Sequence, residues 1–242
     1  MFRLIITILF VFLFLVCSIP LMGIEWLVGK VNKKAADHSS LRLVQWAFRM
    51  VLELSGVHIQ LIGEENIPRD EAVLYIGNHR SLFDAIIGYT LCPGLTCFIA
   101  KNNLEQVPLL RVWMRRLYCL FLNRDNLKDG LRVIQTAIEY IHQGISVFVF
   151  PEGTRTRTGE MGTFKEGTFK IASRTNCRIV PVAFSNTENI FEAHFPFITS
   201  TTVTVHFGEP IDVSRFDKEG KKHLGAYTQH VIADMLEQVS AN

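Results

Sequence analysis

From Val57 onward the chain alternates short apolar runs with helical stretches, and this alternation limits the possible folds more than any other feature. The apolar runs that read as strands are Val57 to Ile62, Ala72 to Gly77, Thr96 to Ala100, Cys119 to Leu122, Ile145 to Phe150, Ile179 to Phe184 and Thr202 to Phe207. Between them lie helical patterns, of which Leu127 to Gln143, stopped by Gly144, is the clearest. Such a chain is expected to fold as α/β: a mixed, mostly parallel sheet flanked by helices. With 242 residues and 48% apolar content it can build one such domain with a substantial core and still carry an appended element.

That element is expected at the amino terminus. Leu4 to Ile24 carries no charge, and about 18 such residues suffice for a membrane helix. A cleaved signal peptide fits poorly, because the apolar core is long and no A-x-A pattern comes after it. A lipoprotein signal at Cys17 fits worse, since Val16 stands where a small residue is needed. A single span and a helix that enters one leaflet and turns near Pro20 and Gly23 both remain open. Lys30, Lys33 and Lys34 outnumber Arg3, which favours a cytoplasmic location for the rest of the chain. Ser39 or Ser40 is expected to cap a second helix, with Leu41, Val44, Phe48, Val51 and Leu52 at helical spacing until Gly56 ends it. This stripe either docks on the core or lies on the bilayer. The chain thus divides into membrane-associated helices over 1–56 and an α/β domain over 57–242.

Composition closes some alternatives. A net charge of +2 is too small to argue for nucleic acid. The five cysteines, Cys17, Cys92, Cys97, Cys119 and Cys177, are scattered and odd in number, without zinc-type spacing, which fits reduced thiols in the cytosol.

Chemistry concentrates in two runs that each come after a strand. In NHRSLFD, Asn78 to Asp84, His79 and Asp84 lie five positions apart, a spacing that brings them together on neither a helix nor a strand. They meet only across a turn, with His79 leaving the strand and Asp84 in the first turn of a helix from Phe83 onward. The carboxylate then holds one imidazole nitrogen and leaves the other as a base. The second run, FPEGTR, delivers Glu152, Gly153, Thr154 and Arg155 at another strand end, where open α/β sheets place their sites. The bland reading of the first run is a capped helix with a satisfied polar pair; the second run weighs against it.

NHRSLFD followed by FPEGTR, with CLFLNRD between them and IVPVAF after, resembles the glycerolipid acyltransferases, most of all the 1-acyl-glycerol-3-phosphate acyltransferases. The resemblance covers roughly residues 57 to 210. It implies acyl transfer from acyl-CoA or acyl-carrier protein to the free hydroxyl of lysophosphatidic acid, giving phosphatidic acid at the cytoplasmic face of the cell membrane. It implies His79 as base, Asp84 as its support, Arg124 and Arg155 on the phosphate, and Lys101 at a position where the family often has lysine. It also implies no metal and no cofactor beyond the acyl donor. Glu152 is expected to orient Arg155 or the loop, with Gly153 giving a tight turn. No G-x-S-x-G elbow is present, which counts against an α/β-hydrolase.

Two positions depart from the family pattern: Tyr118 stands where the second motif usually has glycine, and Asn123 replaces an acidic residue before Arg124. They put the acceptor in question more than the reaction, so another lysophospholipid or glycerol 3-phosphate stays open as acceptor. Tyr118 either narrows the acceptor end or faces the core. Arg111, Arg115 and Arg116, with Val112, Trp113 and Leu117, form either a lipid-facing patch or a solvated face. IFEAHFPF, Ile190 to Phe197, either touches the membrane or packs on the core, and packing is the expected outcome. From other classes, a non-catalytic lipid-binding membrane protein and a hydrolase using water at His79 remain to be tested; an oriented base argues against the first.

Overall fold

A computed structural model describes residues 1–156 and 160–240. The expected alternation is realised in one sheet. Three helices come first, α1 (Phe2–Cys17), α2 (Ile19–Val31) and α3 (Lys33–Ser55), and then β1 (Val57–Ile62), β2 (Leu74–Gly77), α4 (Leu82–Leu91), β3 (Thr96–Lys101), α5 (Pro108–Arg116) and β4 (Leu120–Leu122). The chain continues through α6 (Leu127–His142), β5 (Ser146–Val149), α7 (Lys170–Thr175), β6 (Ile179–Ser185), β7 (Thr201–Phe207) and α8 (Leu224–Ser240). All seven apolar runs contain strands, with ends displaced by at most two residues.

The strand order is β1-β7-β6-β2-β5-β3-β4. Among these strands only the β6–β7 pair is antiparallel, so β2 through β6 all point their carboxyl ends at one edge. One face of the sheet is covered by α3, α4 and α5, through Val44, Val51, Phe83, Ile87 and Trp113. The other is covered by α6, α7 and α8, through Val133, Ala137, Ile171, Leu224 and Ile232. After β2 the chain crosses by α4 to β3 on one side; after β5 it crosses by α7 to β6 on the other. The two crossovers leave in opposite directions on opposite faces, which makes β2/β5 the switch point where an open sheet has its crevice.

Pro181 sits at an irregular point of β6. Its carbonyl accepts from Gly208 (2.9 Å), while Ile179 exchanges both bonds with Ile211, so the ladder breaks where proline has no N–H to give.

The amino-terminal expectation needs two corrections. The third helix begins at Lys33, capped by Asn32, whose side chain accepts from Ala35 N–H (3.1 Å). Ser39 and Ser40 lie inside it, because a capping side chain was already available a full turn and more upstream. Its apolar stripe docks on the core, with Leu41, Val44, Val51 and Leu52 buried. The break in the preceding apolar run is at Ser18, between α1 and α2, which are bent by 47°. Pro20 falls in the first turn of α2, where a missing N–H costs nothing, and Gly23 continues the helix. No single helix among the described residues is long and apolar enough to cross a membrane; α1 and α2 pass that test only together.

Candidate active site

His79 leaves the end of β2, and Ser81 then caps α4 with Asp84 at the third helical position, each side chain bonded to the other's backbone region in a capping box. One oxygen of Asp84, Oδ2, accepts from His79 Nδ1 (2.9 Å), Arg80 N–H (2.7 Å) and Ser81 N–H (2.7 Å). The Asp84 side chain is fully buried and that of His79 is 17% exposed. Because the carboxylate accepts at Nδ1, that nitrogen carries the proton and Nε2 presents its lone pair; Nε2 has no hydrogen-bond partner among the described residues. The imidazole also stacks on Phe150 at a centroid distance of 4.2 Å, so both its plane and its tautomer are fixed. Behind it, the buried Asn78 amide exchanges two hydrogen bonds with the Phe184 backbone (2.9 and 2.7 Å), tying the turn to β6.

The loop after β5 is organised by Glu152, which is buried. Its Oε1 accepts from His79 N–H (2.7 Å), and its Oε2 accepts from Gly162 N–H (2.8 Å) and from the Thr156 hydroxyl. Thr156 N–H in turn donates to the His79 carbonyl (2.9 Å). Of the two orienting roles expected for Glu152, its contacts serve the loop and the backbone of the base. Gly153 has φ +79, so a side chain there would meet backbone strain, while the one close neighbour of a β-carbon, Lys165 Nζ, is the flexible end of its side chain and can give way. Thr154 is exposed at the tip.

Arg155 is held elsewhere. Its Nη1 donates to Glu192 Oε1 (2.7 Å). Glu192 also accepts from Leu82 N–H (2.8 Å) and the Ser81 hydroxyl (2.6 Å). Four residues earlier on the same loop, Glu188 pairs with Arg80 (3.0 Å). Neither carboxylate was anticipated. The signal was present, two glutamates four apart just past a strand ending at the site edge, but the aromatic residues around them point to packing. That packing is only partial: Ile190 and Ile198 are buried, while Phe195 is 74% exposed.

Lys101 ends β3 and Arg124 comes just after β4, both at the same carboxyl edge. Neither makes an ion pair among the described residues. Arg124 leaves the sheet three strands from His79, about 14 Å at roughly 4.8 Å per strand, and two strands from the end of β5 that leads to Arg155, so these groups lie along one edge. Surrounding protein lowers the Arg124 pKa by desolvation, yet an arginine stays charged.

Tyr118 has φ +60, the left-handed conformation that glycine adopts freely, which gives a physical reason for a glycine at that point. Its ring meets Tyr140 edge-on and its hydroxyl donates to Asp37 (2.6 Å), so it anchors α3 and packs inward. In α5, Trp113 is buried and donates to Ser18 (2.9 Å), Arg116 donates to the Met22 carbonyl (2.7 Å), and Arg115 pairs with Glu105. Two of the three arginines are therefore engaged by the protein itself.

Cysteine chemistry has no foothold in the core: burial pushes the Cys92 and Cys119 thiols up to about 12 and raises Cys97 as well, leaving them protonated near neutral pH. Among the described residues, no group of three His, Cys, Asp or Glu side chains is placed to hold a metal ion.

The model of the Acyltransferase family matches residues 58–185. The chain is 32% identical over 202 residues to the 1-acyl-sn-glycerol-3-phosphate acyltransferase of Borreliella burgdorferi, covering 83% of this chain and 80% of that protein. It is 27% identical to the Haemophilus influenzae enzyme of the same name, covering 95% and 96%. Its fold matches the crystal structure of the 1-acyl-sn-glycerophosphate (LPA) acyltransferase PlsC from Thermotoga maritima with a TM-score of 0.81 at 24% identity, over 99% and 98% of the two chains. With its matched region containing both polar runs and the sheet edge that joins them, the chain belongs to the acyltransferase family.

Proposed function

We propose that the protein transfers a fatty acyl group from the thioester of acyl-CoA or acyl-carrier protein to the free hydroxyl of 1-acyl-glycerol 3-phosphate, giving phosphatidic acid. The observation that carries the mechanism is the His79–Asp84 pair, with Nδ1 committed to a buried carboxylate and Nε2 unpartnered. Nε2 takes the proton of the acceptor hydroxyl as its oxygen bonds to the thioester carbon. The tetrahedral adduct then collapses, the C–S bond breaks, and the imidazolium returns the proton to the leaving thiolate. Asp84 steadies the positive charge while it exists. The thioester already carries the activated acyl group, so the transfer needs neither a metal nor a further cofactor. Arg155, Arg124 and Lys101 supply cations for the acceptor phosphate, and guanidinium donors suit it because they engage phosphate oxygens in pairs.

The test uses the purified protein in detergent and measures thiol or carrier-protein release from the acyl donor with and without lysophosphatidic acid. Release that depends on the acceptor, with phosphatidic acid as product, is expected. Release without acceptor identifies a hydrolase, and no release with any lysolipid or glycerol 3-phosphate leaves a lipid-binding protein. In the same assay Arg155→Ala is expected to raise the acceptor KM about 10- to 100-fold, the cost of charge-assisted hydrogen bonds to one group.

The same reading puts the protein on the cytoplasmic face of the membrane. Sixteen residues of α1 reach about 24 Å at roughly 1.5 Å each, short of the ~30 Å hydrocarbon core. Phe2, Ile5, Ile8 and Phe12 are all exposed, Phe12 at 61%. An apolar helix too short to span, bent away into α2, fits entry into one leaflet, with Lys30, Lys33 and Lys34 at the headgroups. Full-length protein is expected to float with lipid vesicles in high salt, and replacing Ile5, Ile8 and Phe12 together by Asp should release it. Recovery of the unaltered protein in a detergent-free, high-salt soluble fraction would remove this assignment.

A further inference from the structure

We infer that Glu192 is a positioning residue that sets Arg155 for the acceptor phosphate, an inference that rests on the phosphate role proposed above for Arg155. The carboxylate is fixed before Arg155 reaches it. Leu82 N–H (2.8 Å) and the Ser81 hydroxyl (2.6 Å), both at the start of α4, each donate to it. Its loop is anchored by the fully buried Ile190, whose carbonyl accepts from Thr199 N–H (2.9 Å), and by the Glu188–Arg80 pair (3.0 Å). Among the described residues the Arg155 side chain bonds Glu192 and no other group, although the backbone beside it is tied down at Thr156, and it is 44% exposed against 20% for Glu192. The carboxylate therefore holds the guanidinium in place.

The geometry of the contact decides what this does. Glu192 engages Arg155 through Nη1 alone (2.7 Å), and a guanidinium has donors on three nitrogens. Nη2 and Nε remain as a fork for two phosphate oxygens. Glu192 thus joins three pieces of the site: the helix start that carries Asp84, the loop that carries Arg155, and the segment after β6. A carboxylate that merely competed with phosphate for Arg155 would weaken acceptor binding, and one that fixes the side chain strengthens it, so the sign of a substitution separates the two.

The experiment measures kcat and KM for lysophosphatidic acid and for the acyl donor in the full-length protein and in Glu192→Gln, Arg155→Ala and the double variant, with a thermal melt of each. Glutamine keeps one acceptor oxygen for Leu82 N–H, can donate its amide N–H to the Ser81 hydroxyl in place of accepting from it, and removes the charge that holds Arg155. The acceptor KM is expected to rise about 5- to 20-fold in Glu192→Gln, the scale of freeing one long side chain, with the change carried mainly by KM and confined to the acceptor. In the Arg155→Ala background the second substitution should add nothing further. An acceptor KM that stays or falls in Glu192→Gln, effects that multiply in the double variant, or a loss of kcat that tracks a fall in Tm would each overturn the assignment. If Arg155→Ala itself leaves the acceptor KM unchanged, the phosphate role of Arg155 fails. If it raises that KM and Glu192→Gln does not, only the role of Glu192 fails.

Discussion

His79→Ala is expected to lower kcat by about 10²- to 10⁴-fold, the usual contribution of a positioned general base, while the protein remains folded. The separation of the two effects comes from how the residue is held. Its backbone N–H donates to Glu152 (2.7 Å) and its carbonyl accepts from Thr156 (2.9 Å), and alanine keeps both. Asp84 keeps its bonds from Arg80 and Ser81 (2.7 Å each), so the start of α4 is not disturbed. The loss is one partly buried hydrogen bond and the stack on Phe150, about 1–2 kcal/mol, or a few degrees in Tm. Steady-state kinetics beside a thermal melt decide the matter: a variant that melts near the parent yet retains more than a tenth of its kcat would show that another group takes the proton.

Among the described residues, other groups that could take a proton are committed elsewhere. The cysteines of the core are held protonated by burial, and Glu152 spends one oxygen on the His79 backbone N–H and the other on the loop that carries it. The division of labour between the two carboxylates is set by position in the fold. Asp84 approaches the imidazole from the helix that starts after β2, and Glu152 approaches its backbone from the loop after β5.

How much of this the sequence disclosed depends on how local the determinant was. The His79–Asp84 contact was legible because spacing alone requires a turn between strand and helix, and a strand end and a cap lie on either side. The strands were legible because buried central strands are continuous apolar runs. The beginning of α3 was not: Asn32 and Ser39 are both good caps in isolation, and the choice between them depends on how far α3 extends before it meets the core. The bend at Ser18 was hidden for a similar reason, since Pro20 is a helix breaker in the middle of a helix and harmless in its first turn. Glu192 lies 108 residues from Asp84 in the chain, and the contact from Ser81 to it spans 111 positions. No local pattern announces such a partner; it emerges only when the sheet order brings the ends of β2, β5 and β6 together. Tyr118 shows the reverse case, where a departure from a family pattern left an acceptor role and a core role open, and the side chain is found on a left-handed residue tied to α3.

Asp84 is the position where structure and chemistry are hardest to separate, and two substitutions divide them. Asp84→Ala removes the acceptor of three hydrogen bonds in a fully buried site and one half of the capping box. Loss of the cap costs about 1–2 kcal/mol, and each buried N–H left unpaired adds about 1–3 kcal/mol. A net loss of about 3–5 kcal/mol is expected, lowering Tm by roughly 6–20 °C for a chain of this size. Asp84→Asn keeps an oxygen for the Arg80 and Ser81 N–H groups, so it should retain most of that stability. It cannot offset the charge of an imidazolium, which the buried carboxylate does. Its kcat is therefore expected to fall about 10²- to 10⁴-fold with a melting temperature much closer to the parent than that of Asp84→Ala. If the two variants lose activity in proportion to their loss of Tm, Asp84 acts only as a helix cap; if Asp84→Asn is stable and inactive, the buried carboxylate is needed as a charge beside His79.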